Sequence, residues 1–265
     1  MADKKPLSSH FVRWSLRLIG LAFAVFALQI GLLAYPQVLL SKEADAGSVV
    51  VHYRGDQDPA IQKMASQTDH RLQLGGFGNP EYPSHIFFFP DQRLYSLFTR
   101  LARLQPEAQG FGVSFLGTSY VSGPRVRALG ERTSHSPTYS VWEGSIPHTM
   151  AHEVAHIILI DSIGRSAWLD LPHWKQEGLP EYIANIGLLR ADSTTSLPER
   201  IEILLDDERW LGPRSWDRIH YEAGLLVEFL MEVESLDLRA VLDDRVTREA
   251  TYSEMVVWSR AATSR

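Results

Sequence analysis

The sequence has no cysteine among its 265 residues. That excludes disulfides, thiolate metal ligands and a cysteine nucleophile, so any metal has to be held by histidine and carboxylate groups. Such a donor set suits zinc in a hydrolytic site. Clusters of basic residues interleaved with aromatics are also missing, and the formal net charge is mildly acidic at −6. Nucleic acid is therefore not an expected partner. Repeats and low-complexity tracts are absent, which excludes a solenoid. Long apolar runs are scarce. There is one, Leu18 to Tyr35, broken only by Gln29 and a few small residues.

Those 18 residues in a helix span about 27 Å, close to the hydrocarbon thickness of a bilayer. Lys4, Lys5, Arg13 and Arg17 precede the run, and a basic flank on that side predicts a cytoplasmic N-terminus with the remainder exported. Residues 1–36 thus read as a cytoplasmic tail and single-pass membrane anchor, with membrane contact through residues 18–35. Secretion after signal cleavage is the alternative. Ala44-Asp45-Ala46 loosely resembles a small-x-small cleavage site but lies well beyond the apolar run. A soluble core helix is the third reading.

Beyond the anchor the fold class reads as α+β: a small α+β region followed by a mainly helical one. Residues 37–48 form a polar linker. In the 49–140 region, Val49 to Tyr53 and His85 to Phe89 read as strands, and Phe111 to Val121 as one further alternating strand. Tyr139 to Trp142 is a short edge strand. Pro59 to Gln73 and Asp91 to Gln105 are helix-like, the latter with apolar spacing at Leu94, Leu97, Phe98, Leu101 and Leu104. Arg125 to Pro137 is polar and irregular. Residues 141–265 are helical in pattern, and a cleft between the two halves is the expected place for a site.

The chemistry concentrates in His152-Glu153-Val154-Ala155-His156. On a helix, His152 and His156 at i and i+4 share a face and reach one metal ion, and Glu153 beside them is placed to take a proton from water. Ser145 reads as the N-cap, Pro147 suits the first turn, and Gly164 is the stop. Two histidines do not complete a hydrolytic site, which takes three protein ligands. The third lies in Trp174-Lys175-Gln176-Glu177-Gly178-Leu179-Pro180-Glu181-Tyr182. Glu177 and Glu181 share a helix face, so one binds metal while the other orients a ligand histidine. His148, one turn before His152, can hydrogen-bond near the metal but does not align with His156, because a helix drifts about 80° over eight residues. His173 and His220 are candidates for substrate contact.

These motifs resemble the gluzincins, the zinc peptidases that include thermolysin and the membrane-alanyl-type aminopeptidases. Their pattern is H-E-x-x-H on one helix and a Glu ligand on a later helix, often within W-x-x-E-G-x-A-E-Y. The resemblance implies one Zn²⁺ held by His152, His156 and Glu177, with Glu181 fixing a histidine and Glu153 as general base. Tyr221-Glu222-Ala223-Gly224 is similar to the Y-E-x-G helix whose tyrosine donates to the oxyanion, which implies that role for Tyr221. The likeness covers about residues 140–260. Departures are the 20 residues between His156 and Glu177, Pro180 in place of Ala, and no G-x-M-E-N signature, so aminopeptidase specificity is not carried over. The expectation is a membrane-anchored, extracytoplasmic zinc metallopeptidase of endopeptidase type acting on peptide or protein substrates. The alternative is a catalytically inactive, zinc-stabilised binding or scaffold protein at the membrane.

Overall fold

A computed structural model describes residues 9–56, 58–77, 83–101, 104, 108–127, 145–191, 196–206 and 215–263. The protein is mostly helical, with one small mixed sheet and an N-terminal apolar helix, α1 (Ser9–Ala34). Arg13–Gly31, within α1, is long and apolar enough to cross a membrane.

The sheet comprises β1 (Lys42–Asp45), β2 (Val49–Tyr53), β3 (Ser84–Phe89), β4 (Gly110–Val113) and β5 (Thr118–Ser122) in the order β1-β2-β3-β5-β4. The three central strands are parallel, and both edge strands pair antiparallel. Both faces of the central strands are covered, so these strands read as nearly continuous apolar runs. The period-two pleat sorts their residues. Val51, Ile86, Phe88 and Val121 belong to a large core shared with the helices that follow, whereas Phe87, Phe89, Tyr120 and Phe111 form a separate aromatic layer on the other face. In that layer Phe111 stacks on Tyr120, 4.6 Å between centroids and 3° from parallel. Helix α2 (Asp58–Leu74) supplies Ile61, Ala65 and Leu72 to the large core. Helix α3 (Gln92–Leu101) supplies Tyr95 and Phe98 to the aromatic layer.

The helices after residue 145 are α4 (Ile146–Ile163), α5 (Arg165–Asp170), α6 (His173–Ala191), α7 (Leu197–Leu205), α8 (Ser215–Glu228), α9 (Leu238–Leu242) and α10 (Arg248–Thr263), with a π-helical turn at Phe229–Val233. One apolar cluster runs from Ala44 through Met150 and Leu226 to Met255, so the sheet and the helices share a core. Arg200 and Glu228, both buried, clamp α7 to α8 with a two-pronged ion pair.

Several expectations are corrected. Part of the supposed linker is β1, whose Lys-Glu-Ala-Asp sequence carries no apolar alternation and is held by its ladder to β2. The supposed single strand over 111–121 is a hairpin, β4 and β5. It turns through a 3₁₀ segment at Ser114–Leu116 and Gly117, whose φ of 61° is left-handed. Pro180 lies inside α6, which runs through it, and burial of Leu179, Tyr182 and Ile183 around it offsets the ~3 kcal/mol that an interior proline costs. Helix α5 was not anticipated. The strand expected at 139–142 and most of the stretch 125–137 lie outside the described residues.

Helices α6 and α8 approach each other through glycine. A Cβ on Gly178 would overlap the carbonyl oxygen of Ala223, and one on Gly224 would lie 2.8 Å from Cγ of Glu181. Gly178→Ala therefore has to push α8 away. We expect a loss of about 1–3 kcal/mol, the usual cost of overpacking, measured by urea denaturation. Unchanged stability would mean that this contact yields freely.

Candidate metal centre

Helix α4 begins as its sequence dictates. The side chain of Ser145 accepts from the His148 N–H at 3.3 Å, Pro147 occupies the first turn, and Gly164 ends the helix with φ 85°. The helix is apolar almost all round and mostly buried, which holds its imidazoles rigidly.

His152, His156 and Glu177 converge. His152 Nε2 lies 3.1 Å from His156 Nε2, and Glu177 Oε2 lies 3.5 Å from the first and 3.4 Å from the second. Tetrahedral ligands at about 2.0–2.1 Å from one ion stand about 3.3 Å from each other. The three atoms fit that spacing. His220 adds a fourth group, its Nδ1 3.7 Å from Glu177 Oε2 and its ring 5.9 Å from that of His152. His152, Glu177 and His220 also present ligand atoms within 4.8 Å of one another, a group that could hold a metal ion. The tighter set with His156 fits the tetrahedral spacing better and leaves His220 at the edge of the site. His173 Nε2 is 3.8 Å from Glu177 Oε1, half-exposed, on the rim of a cleft of about 640 Å³.

Glu181, almost wholly buried, supplies the orienting carboxylate. Its Oε2 is 3.0 Å from His152 Nδ1, and its Oε1 meets His148 Nε2 at 2.9 Å and Asn185 Nδ2 at 2.8 Å. A carboxylate this close to Nδ1 favours the tautomer with its proton there, which leaves Nε2 with its lone pair for a metal. Burial would raise the Glu181 carboxyl, but His148 and His152 outweigh it and hold the group well below the usual carboxylate range. Glu177 behaves alike: burial opposes ionisation, and His152 and His156 keep it ionised. For His152, burial pulls its proton affinity down, yet Glu177 and Glu181 raise it well above the ordinary imidazole value. Together the groups make a field that attracts a cation.

No protein-family model matches the chain, and no curated protein matches it.

Glu153 faces β4. A Cβ on Gly110 would come within 2.8 Å of the Glu153 Cγ and Oε1, and one on Gly112 would lie 3.5 Å from the Glu153 carbonyl oxygen. The alternation Gly110-Phe111-Gly112-Val113 thus sends its aromatic to the far layer and lets α4 press against bare backbone. Burial raises the Glu153 carboxyl, only partly countered by His152 and His156. A cleft of about 250 Å³ joins Glu153, His156 and Glu177 to Gly112, Ile160 and Trp168. Trp168 presents its edge to His156 at 5.7 Å. Gln176 ties α5 to α6 through the carbonyls of Trp168 and Leu171.

The structure does not bring Tyr221 to this centre. Its hydroxyl donates to the Arg200 carbonyl at 3.2 Å, and its ring is buried in the core. One residue is about 100° of helix turn, so His220 faces the site and Tyr221 faces α7. His220 is held below the ordinary imidazole value by burial and by His152, which favours a neutral ring. Asn185, Trp168 and the two β4 glycines were not singled out from the sequence. Only Asn185 carried a local signal, four residues after Glu181.

The metal set is testable by zinc titration of purified variants. Glu177→Ala and His156→Ala should each lose most of the ion. Glu181→Ala should weaken binding by about 10–100-fold, and His220→Ala should change it little. Near-complete zinc loss in His220→Ala with retention in His156→Ala would hand the third position to His220.

Proposed function

We propose that the protein is a membrane-anchored zinc metallopeptidase of the gluzincin type, its catalytic part outside the cytoplasm. The observation carrying this reading is the mutual spacing of 3.1–3.5 Å among His152 Nε2, His156 Nε2 and Glu177 Oε2 directly beside a half-buried Glu153 that lines the adjoining cleft. A set of two imidazoles and one carboxylate without thiolate suits zinc with a position left open. When bound there, zinc polarises a carbonyl and acidifies water.

The chain's own groups divide the remaining work. Glu153 takes a proton from the attacking water and returns it to the leaving amine; its raised proton affinity brings it closer to working pH. His220, neutral and beside Glu177, donates to the developing oxyanion in the place expected for Tyr221. Among the described residues β4 pairs only with β5. Its open edge beside Glu153 suits an extended peptide, which would add as a further antiparallel strand. That favours a peptide or protein substrate. Arg13 and Arg17 before the apolar run favour a cytoplasmic N-terminus. Contact of α1 with the folded part, through Gln29 on Leu101 and Leu33 on Tyr120, favours a retained anchor over a cleaved signal.

Digestion of a peptide library by the detergent-solubilised full chain, with and without chelator, tests the activity. Chelation should abolish cleavage, and zinc should restore it. Glu153→Gln should keep its zinc and lose turnover, because an amide cannot accept the proton. His220→Ala should lower kcat by about 10²–10³, the usual loss for one oxyanion donor. Bound zinc with no cleavage of any peptide would leave the inactive binding or scaffold reading standing. No bound zinc would end both.

A further inference from the structure

Helix α3 carries two apolar faces, and among the described residues only one of them packs into a core cluster. Tyr95 and Phe98 are buried in the aromatic layer. Leu97 and Leu101, one turn apart, lie on another side, and Leu104 follows beyond the end of the helix; Leu97 is 45% and Leu104 43% exposed. The turn past the end of α3 is held by Leu104 N–H donating to the Thr99 carbonyl at 2.8 Å. Exposed Arg93 and Arg100 fall along one border of this leucine stripe, about 40° and 60° from Leu97 on the helical wheel. A leucine stripe edged by arginines marks a helix lying in a bilayer interface, its apolar side among acyl chains and its guanidinium groups reaching the phosphates.

The position of α3 relative to α1 is fixed by hydrogen bonds. Gln29 Nε2 donates to the Leu101 carbonyl at 2.6 Å, and the Leu33 carbonyl accepts from the Tyr120 hydroxyl. Gln29 sits two residues before Gly31, the end of the apolar span, about 3 Å along the axis. The C-terminal end of α3, with Leu101, is therefore level with the last turn of the apolar span. Tyr35 and Val38, exposed at 64% and 80% just beyond α1, extend the same apolar collar, and a tyrosine there matches the aromatic belt of membrane proteins. Gln29 also explains itself: an amide in hydrocarbon needs a partner, and the end of α3 provides one.

We propose that α3 is a second membrane-contacting element, its Leu97–Leu101–Leu104 face lying in the outer-leaflet interface beside α1 and its Arg93 and Arg100 on lipid phosphates. This rests on the reading that α1 crosses the bilayer. It makes the catalytic part a docked body with one orientation, not a sphere on a tether.

The absence of native cysteine makes the test clean. Single-cysteine variants of the full chain, Leu97→Cys, Leu104→Cys, Phe23→Cys and Glu254→Cys, carry an environment-sensitive nitrobenzoxadiazole label. Each is reconstituted in vesicles of equal parts phosphatidylcholine and phosphatidylglycerol containing spin-labelled lipid, with the quencher near the headgroup or deep in the acyl chain. Labels at 97 and 104 should emit to the blue of the label at 254 and be quenched more by the shallow spin label than by the deep one. The label at 23 should show the reverse ratio, and the label at 254 should be quenched by neither. If 23 is quenched from the deep position while 97 and 104 behave like 254, the anchor stands and the α3 proposal fails. If 23 also escapes both quenchers, the anchor reading itself is wrong and the proposal falls with it. Near-normal circular dichroism of all four variants keeps misfolding out of the comparison.

Discussion

A carboxylate buried as fully as Glu181 must be paired, since an uncompensated charge in a protein interior costs several kcal/mol. Its partners come from two helices: His148 and His152 from α4, and Asn185 from its own α6. That requirement locks the rotation of α4 against α6. With the rotation set, His156 and Glu177 meet His152 as consequences, because each is fixed by helical spacing to a residue already held. The close passage of Gly178 against Ala223 and of Gly224 against Glu181 then brings α8 near enough for His220 to reach the same centre. A misplaced Glu181 would thus disturb more than one ligand.

Much of the centre was legible in the chain. Histidines at i and i+4, and glutamates at i and i+4, are one-dimensional statements about a helix face, and Ser145 and Gly164 marked the ends of α4 as they are found. What was not legible depends on helix phase or on pairing across the chain. Whether His220 or Tyr221 points inward is a matter of about 100° of rotation, and both residues sit in a segment apolar enough to be buried either way. β1 was hidden because a strand on the edge of a sheet needs only backbone to pair, and Lys-Glu-Ala-Asp offers no apolar signal. The hairpin of β4 and β5 read as one strand because apolar and small residues interleave on both sides of the turn, and the slip of phase at Leu116, before Gly117, is only one residue long. The role of Gly110 was unreadable for a deeper reason. It lies in what the residue leaves empty, and that has meaning only once Glu153 is known to stand opposite.

The sheet separates two environments with little mixing. One face supports α4 and the candidate metal centre, and the other supports the aromatic layer, α3 and the end of α1. Neighbouring residues of a single strand serve opposite sides: Tyr120 reaches Leu33 of the apolar helix while Ser119 and Val121 face α4. Packed interiors transmit displacement rather than absorb it, so the seating of α1 and the position of α4 are mechanically related through β5, one layer thick.

Bare backbone on β4 has a consequence for selectivity. With glycine at 110 and 112, the strand presents no side chain toward α4, and a visiting chain laid along it would meet only amides and carbonyls, which are the same for every sequence. Discrimination then has to come from the opposite wall of the cleft, where Ile157, Ile160 and Trp168 stand. That part of the wall is apolar, with Ser114 and Gln176 lining the same cleft. It is suited to grading side chains by bulk, and poorly suited to demanding one residue. If the cleft takes a peptide as proposed, breadth of choice with a bias toward apolar neighbours is the character it would impose.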